Sequence, residues 1–353
     1  MSVAPSAGVS QRIAVAIPHY WSDRSSTLGA RSNTAEQRAM MLSRVITTLH
    51  ETFSGPRQVS PGFDAAYGPE RRLDVLVVTA ADGAHLLDHL APIRPLFTHI
   101  ERTMENPMAL PLECRTVLAD RIGEFDEYAC LEDDIVVADP FFFDKLNWFR
   151  ERADADAVLM PRRFERRSGL KAYIDPLLSA DETASFQDLA HADEIRDQWS
   201  TVGEVVFRQV DNPHSSCWFV SADQMARWAR HPRFATFTTE FIAPIESAMC
   251  PAVGGPFRLY KAVLPRPDFL EVEHATQAYL EQWALPEGKP AAVVSGDRNL
   301  ARQLADARQQ AADAAQRAAD AEAAYDALVH SPTLRLTAPF RNALRRVVPR
   351  RSH

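Results

Sequence analysis

Lysine is scarce in this chain of 353 residues: only Lys145, Lys171, Lys261 and Lys289 stand among 39 basic residues. Arginine supplies the rest beside abundant alanine, a pattern of genome composition, so an arginine is not by itself read as a phosphate ligand. A net charge of −8 excludes a surface given over to nucleic acid. The four cysteines, Cys114, Cys130, Cys217 and Cys250, lie far apart without a CxxC, which excludes a disulfide scaffold. Reduced thiols in a cytoplasmic protein are the expectation. No apolar run approaches the ~18 residues that would cross a bilayer. The segment MSVAPSAGVSQR lacks a charged region followed by an apolar one, so no secretory signal is expected. With 46% hydrophobic and 24% charged residues, wholesale disorder is excluded as well.

What is present reads as an alternating α/β chain. Residues 1–11 are small and polar and read as a disordered leader. IAVAI (13–17) is a short continuous apolar strand of the kind buried on both faces of a parallel sheet. Thr34 with Gln37 forms a capping box for a helix to about Phe53, with Ala39, Leu42, Val45, Ile46 and Leu49 on one face. LDVLVVTA (73–80) and FTHIERT (97–103) are further strands, and residues 113–123 a helix. DEYACLEDDIVV (126–137) is a strand with an acidic break. Asp139 and Pro140 read as N-cap and first position of the next helix. AVLMPRRF (157–164) reads as one strand, NPHSSCWFV (212–220) as another, and residues 221–231 as a helix capped by Ser221. A helix over 238–249 and a strand over 257–264 follow. The pattern implies a largely parallel sheet with flanking helices.

Beyond residue 296 the composition changes. Leu300, Leu304, Ala307, Ala311, Ala314, Ala318, Ala321, Tyr325 and Leu328 keep a heptad spacing, read as an Ala-rich helix or coiled coil over 296–330 that would serve self-association. Residues 331–353 hold six arginines in 335–351, no acid, and interleaved apolar residues, a basic amphipathic tail suited to peripheral contact with an anionic membrane.

The run Leu131-Glu132-Asp133-Asp134-Ile135 carries the chemistry. Three carboxylates interrupt an apolar strand, where desolvation disfavours them unless a cation or hydrogen bonds compensate. Strand alternation puts Glu132 and Asp134 on one side. Such oxygens suit a hard divalent cation, Mg²⁺ or Mn²⁺, shared with a diphosphate.

FDEYACLEDDIVVADPFFF, with the strands IAVAIPHY and LDVLVVTA before it, resembles the acidic motif and opening of GT-A-type glycosyltransferases. The resemblance covers about residues 12–280, and SPTLRLTAPFR (331–341) is similar to the ends of bacterial enzymes that build surface polysaccharide or O-antigen. It implies a GT-A, Rossmann-like domain with a nucleotide-sugar half (12–165), an acceptor-side half (166–290) and the C-terminal extension. It also implies transfer from a nucleotide-diphosphate sugar to a glycan or lipid-linked acceptor at the cytosolic membrane face. By the same resemblance Asp134 is a metal ligand, Glu132 a second contact and Asp133 an orienter of the donor sugar. Glu132 stands where the family usually has Asp, which weakens its claim to direct ligation.

Other candidates come from the residues' surroundings. Glu246, flanked by Pro244, Ile245, Ala248 and Met249, is the preferred general base by its expected partial burial, with Glu240 second. The resemblance also implies a histidine after the core sheet as a metal ligand, which makes His274 the candidate third ligand, and imidazole suits Mn²⁺. His19 and Tyr20 end the first strand, where the resemblance places the nucleotide base. Arg115 is a candidate phosphate contact and Trp218 a candidate sugar platform. A nucleotidyltransferase is the rival enzyme class, and a non-catalytic transferase-like scaffold the rival of a different kind. The segment 22–33, with one Gly and no Lys, speaks against the former.

Overall fold

The computed structural model describes residues 11–21, 34–55, 57–58, 66–67, 71–167, 169–175, 194–199, 203–209, 214–238, 244–252, 255–263 and 266–276. The chain divides into two compact units, residues 1–291 and 292–353, and every described residue belongs to the first. The heptad segment, the basic tail and Glu240 lie outside the described residues.

The first half runs β1 (Gln11–Pro18), α1 (Ala35–Phe53), a small ribbon of β2 (Arg57–Gln58) and β3 (Ala66–Tyr67), β4 (Arg71–Ala80) and β5 (Thr98–Arg102). It continues through α2 (Leu110–Ala119), β6 (Glu127–Leu131), β7 (Ile135–Val136), α3 (Phe142–Arg150), β8 (Ala157–Leu159), β9 (Arg162–Arg167) and β10 (Leu170–Tyr173). The second half holds β11 (Ile195–Trp199), β12 (Gly203–Gln209), β13 (Cys217–Ser221), α4 (Ala222–Ala229), α5 (Pro244–Ala248), β14 (Arg258–Ala262) and β15 (Glu271–His274).

The central sheet has the order β13-β6-β1-β4-β5. β6, β1, β4 and β5 are parallel, and β13 closes one edge antiparallel. Strand order explains the apolar runs: Ile13, Val15, Ile17, Val75 and Val77 pack in the core beneath α1 and α3, whereas Ala14, Ala16, Leu76 and Val78 pack with α2. Both faces are covered, so the strands need no polar alternation. The Thr34–Gln37 capping box starts α1, and its five expected core residues are buried together with Phe53. The chain builds outward from β1 through β4 to β5, then returns to lay β6 on the other side of β1. That reversal leaves a crevice beyond the C-terminal ends of β1 and β6, the place where open α/β sheets bind ligands.

Two four-stranded sheets, β10-β9-β15-β7 and β11-β12-β14-β8, stand beside the central one. Their pairings join distant segments, and they divide the expected strand over 157–164. Pro161, which has no N–H to donate, separates β8 from β9, and the two enter different sheets. The expected start of α3 also shifts. The helix begins at Phe142, and Asp139 instead caps the preceding turn, its Oδ1 accepting the Phe141 N–H at 2.9 Å. Of the expected strand 212–220, residues 214–216 are described and are not strand, and β13 begins at Cys217. Of the expected helix 238–249, the described part is α5. All four cysteines are buried, and none forms a disulfide.

Candidate active site at the switch point

Register brings the first two elements of the site together. Ala16 pairs with Cys130, so His19 and Asp133 lie at equal distances past the paired strands. His19 is fully buried. Its Nε2 accepts the Leu86 N–H at 3.1 Å, which puts the ring proton on Nδ1, 2.6 Å from Asp133 Oδ2. His19 thus holds the acidic turn.

Arg38, in the first turn of α1, donates one guanidinium nitrogen to Asp133 Oδ1 and another to Asp134 Oδ2, the latter at 3.1 Å. Burial alone would raise the Asp133 carboxyl. The Arg38 charge and the His19 hydrogen bond outweigh it and hold the group below the usual carboxylate range. Asp134 is different. Its Oδ1 is buried and accepts no hydrogen bond, a costly state for a carboxylate oxygen.

β15 reaches the same turn. His274 pairs with Ile135, and the Ala275 N–H donates to the Asp134 carbonyl at 2.9 Å. His274 Nε2 lies 3.7 Å from Asp134 Oδ2. Its Nδ1 lies 2.7 Å from Oε1 of Glu165, which β9 brings fully buried behind it. A carboxylate on one ring nitrogen leaves the other as the lone-pair donor, the usual support of a metal-ligating histidine. The Thr276 hydroxyl, 3.1 Å from Nε2, is the competing partner.

Glu132 follows β6, with its N–H donating to the Ser216 carbonyl at 2.9 Å. Its carboxyl is pushed up to about 8, first by burial and then by Asp134, with Arg163 opposing. The charge of Glu246, a partly buried residue of α5, adds to that rise. Ser216 holds a left-handed φ of 53°, a conformation that costs a serine energy and that gathers at functional sites.

Behind Ser216 lies a closed ionic cluster. Asp175 Oδ1 accepts from Arg163 Nε at 2.8 Å, and Oδ2 from the Arg163 N–H at 2.9 Å and Lys261 Nζ at 2.7 Å. Arg163 also donates to Ser216 Oγ at 3.0 Å. Against the pull of burial, Lys261 and Arg163 hold the Asp175 carboxyl well below its ordinary range. Burial pushes Lys261 down to about 8, with Asp175 opposing.

The fold therefore gathers His19, Asp133, Asp134 and His274, with Glu132 in the same turn. It does not gather Arg115 or Trp218. Arg115 is buried, and donates to the carbonyls of Phe234 (3.3 Å), Ser247 (3.2 Å), Ala248 and Cys250 (3.4 Å), so it tethers α5 rather than facing a phosphate. Trp218 is fully buried with its ring 5.1 Å from Trp228, a core contact rather than a sugar platform. Tyr20 packs beside the α2-side core and stays partly exposed. Arg38, Glu165, Asp175 and Lys261 are not singled out by the sequence. The only signal for Glu165 is its place two residues from Arg163 on one strand face, a lone acid within RRFERR.

The donor set suits a hard divalent cation. Asp134 offers a buried unshared oxygen and His274 an oriented nitrogen, and such ions bind through one or two protein ligands plus substrate phosphates.

No protein-family model matches the chain, and no curated protein sequence matches it. Among solved structures, it is similar to GalNAc-T7, crystallised with UDP, GalNAc and Mn²⁺, with a TM-score of 0.35 and 10% identity over 75% of this chain and 44% of that one. It is also similar to S. aureus TarS 1–349, with a TM-score of 0.39 and 9% identity over 77% of this chain and 63% of that one. The chain spans less than two thirds of either structure.

Proposed function

We propose that the chain is a metal-dependent glycosyltransferase that moves a sugar from a nucleotide-diphosphate donor to a glycan or lipid-linked acceptor. The setting proposed is bacterial surface-polysaccharide synthesis at the cytosolic membrane face. Membrane contact through residues 331–353 and self-association through 296–330 belong to the same reading. One observation carries it: the bare buried Oδ1 of Asp134 beside a histidine oriented by a buried carboxylate, at the sheet's switch point. Asp134 and His274 would hold Mn²⁺ or Mg²⁺, which when bound supplies Lewis-acid stabilisation of the leaving diphosphate. Asp133, fixed by His19 and Arg38, orients the donor sugar. Glu246 takes the proton of the acceptor hydroxyl as its oxygen bonds the anomeric carbon, whose bond to the diphosphate breaks. Dipoles fixed among buried groups make each charge more effective than it would be in water.

The fork of Arg38 on both aspartates favours a second reading: an acidic turn neutralised from within, in a transferase-like scaffold without turnover. The experiment that separates them screens nucleotide sugars by thermal shift with and without Mn²⁺, then measures donor turnover. Only a ligand that prefers the folded state raises Tm. The transferase reading expects a Mn²⁺-dependent rise with at least one donor, and turnover abolished in a folded Asp134→Ala protein. Normal turnover in that variant would refute the assignment, and silence across the panel would favour the scaffold.

A further inference from the structure

A second cluster of metal-ligating side chains lies on the opposite flank of His19 from the acidic turn. His99 and Glu101 are two positions apart on β5, so their side chains leave the same face of the strand. Thr79 pairs with Glu101 in parallel register and shares that face. His85 comes from the turn after β4, its ring 5.3 Å from that of His99 and nearly perpendicular to it. One donor atom from each of His85, His99 and Glu101 lies within 4.8 Å of the other two, the only such trio among the described residues.

We propose that His85, His99 and Glu101 form a second cation site, separate from the acidic turn, that takes a borderline divalent transition metal of the Zn²⁺ class. The donor chemistry selects the class of ion. Two imidazoles and one carboxylate suit Zn²⁺ and its neighbours, whereas the oxygen-rich turn suits Mg²⁺ or Mn²⁺. The ring of His99 is already fixed, because the buried Thr79 hydroxyl lies 2.7 Å from its Nε2. A ligating imidazole characteristically has its second nitrogen held in this way. Burial, His85 and Arg94 all push His99 toward its uncharged, ligating form, with Glu101 opposing. Access is open: Glu101 is exposed and both histidines are partly so. Three protein ligands leave a fourth position for water. The Leu87 N–H approaches His85 Nδ1 at 3.4 Å, a long contact that a metal bond at either nitrogen outweighs.

The site has a consequence for the turn that carries it. Leu86, next to His85, donates its N–H to His19, which in turn donates to Asp133. A cation on His85 and His99 fixes the 81–87 turn in the conformation that clamps His19. The second site therefore steadies the first through two hydrogen bonds, without contributing a ligand to it.

The test uses the full chain, stripped by chelator and dialysed, with Zn²⁺ alone titrated calorimetrically and Co²⁺ absorption as a second readout. The expected result is about one equivalent of tight uptake. Asp134→Ala keeps it. His99→Gln and His85→Gln each lose it by more than ~100-fold, beyond the 10–100-fold that loss of an outer partner costs. His85 lies in a surface turn, so its variant answers even where His99→Gln does not fold. Equal uptake in wild type and His85→Gln would overturn the proposal. So would uptake that disappears in Asp134→Ala and survives in His85→Gln, because the ion would then belong to the acidic turn. Either failure leaves the donor-turnover experiment unaffected.

Discussion

Two buried carboxylate sites lie on either side of Ser216, and the fold completes them differently. Asp175 is enclosed: both its oxygens accept hydrogen bonds, and Arg163 and Lys261 supply the charge. Asp134 shares one cation, Arg38, with Asp133 and leaves its Oδ1 buried and bare. The same residue type at nearly the same depth is thus satisfied in one place and unsatisfied in the other. Desolvation makes an unmatched carboxylate oxygen unfavourable unless something outside the chain matches it. A closed network of this kind holds three sheets together, and an open one at a crevice is where a ligand gains most.

The contrast is sharpest in stability. Removing the Asp175 carboxylate leaves Arg163 and Lys261 buried without their counter-ion, and breaking such a pair costs about 3–5 kcal/mol. Removing Asp134 leaves Arg38 paired with Asp133 and deletes a half-satisfied group, so Asp134→Ala is expected within about 1 kcal/mol of wild type. Urea unfolding of Asp175→Ala and Asp134→Ala checks both. Equal losses would mean that the acidic turn is a structural ion network and not an open site.

That division between the two sites follows what the sequence makes legible. β1, β4, α1 with its capping box and the acidic turn rest on local signals, namely apolar runs, 3.6-residue periodicity and a Thr–Gln spacing. Their burial follows directly. The acids of the turn stand out because they interrupt an apolar strand. Arg38 and Glu165 do not stand out. Each is one charged residue among many: Arg38 gains meaning only when α1 lies against the acidic turn, and Glu165 only when the pairing of β9 with β15 and of β15 with β7 brings it to His274. The separation of β8 from β9 at Pro161 is of the same kind, since local propensity is silent on which sheet a strand joins. Arg115 and Trp218 show the converse error. Residue types common in binding sites are placed by the fold in the core, where a cation over an indole ring at 4.4 Å and two tryptophans meeting edge to face serve packing.

A smaller effect separates ligand from support on the open side. Glu165→Gln keeps the size of the side chain and a hydrogen-bonding oxygen, but removes the charge behind His274. Mn²⁺ affinity is expected to fall about 10–100-fold, read by calorimetry with a nucleoside diphosphate present. Unchanged affinity would remove His274 from the ligand set and leave Asp134 as the turn's single protein donor.

The smallest expected effect lies at the other end of the sheet, where the same ion chemistry meets water. Arg12 and Asp126 pair at 3.1 Å with side chains 42% and 45% exposed. The hydrogen bond from Arg12 holds the Asp126 carboxyl below its ordinary 3.8, with burial opposing. As pH falls, the unfolded chain takes up the proton first, so the pair's contribution is present above that ordinary value and disappears below it. Screening keeps it small, in contrast to the larger acid loss expected of the enclosed Asp175. Asp126→Asn is therefore expected to lower the urea midpoint slightly near neutrality and to converge on wild type as the pH falls below 3.8 through the folded pair's own titration. Asp126 Oδ2 also accepts the Arg12 main-chain N–H at 2.8 Å. A gap that persists in acid would assign the pair's worth to that main-chain bond, which asparagine keeps less well, rather than to charge.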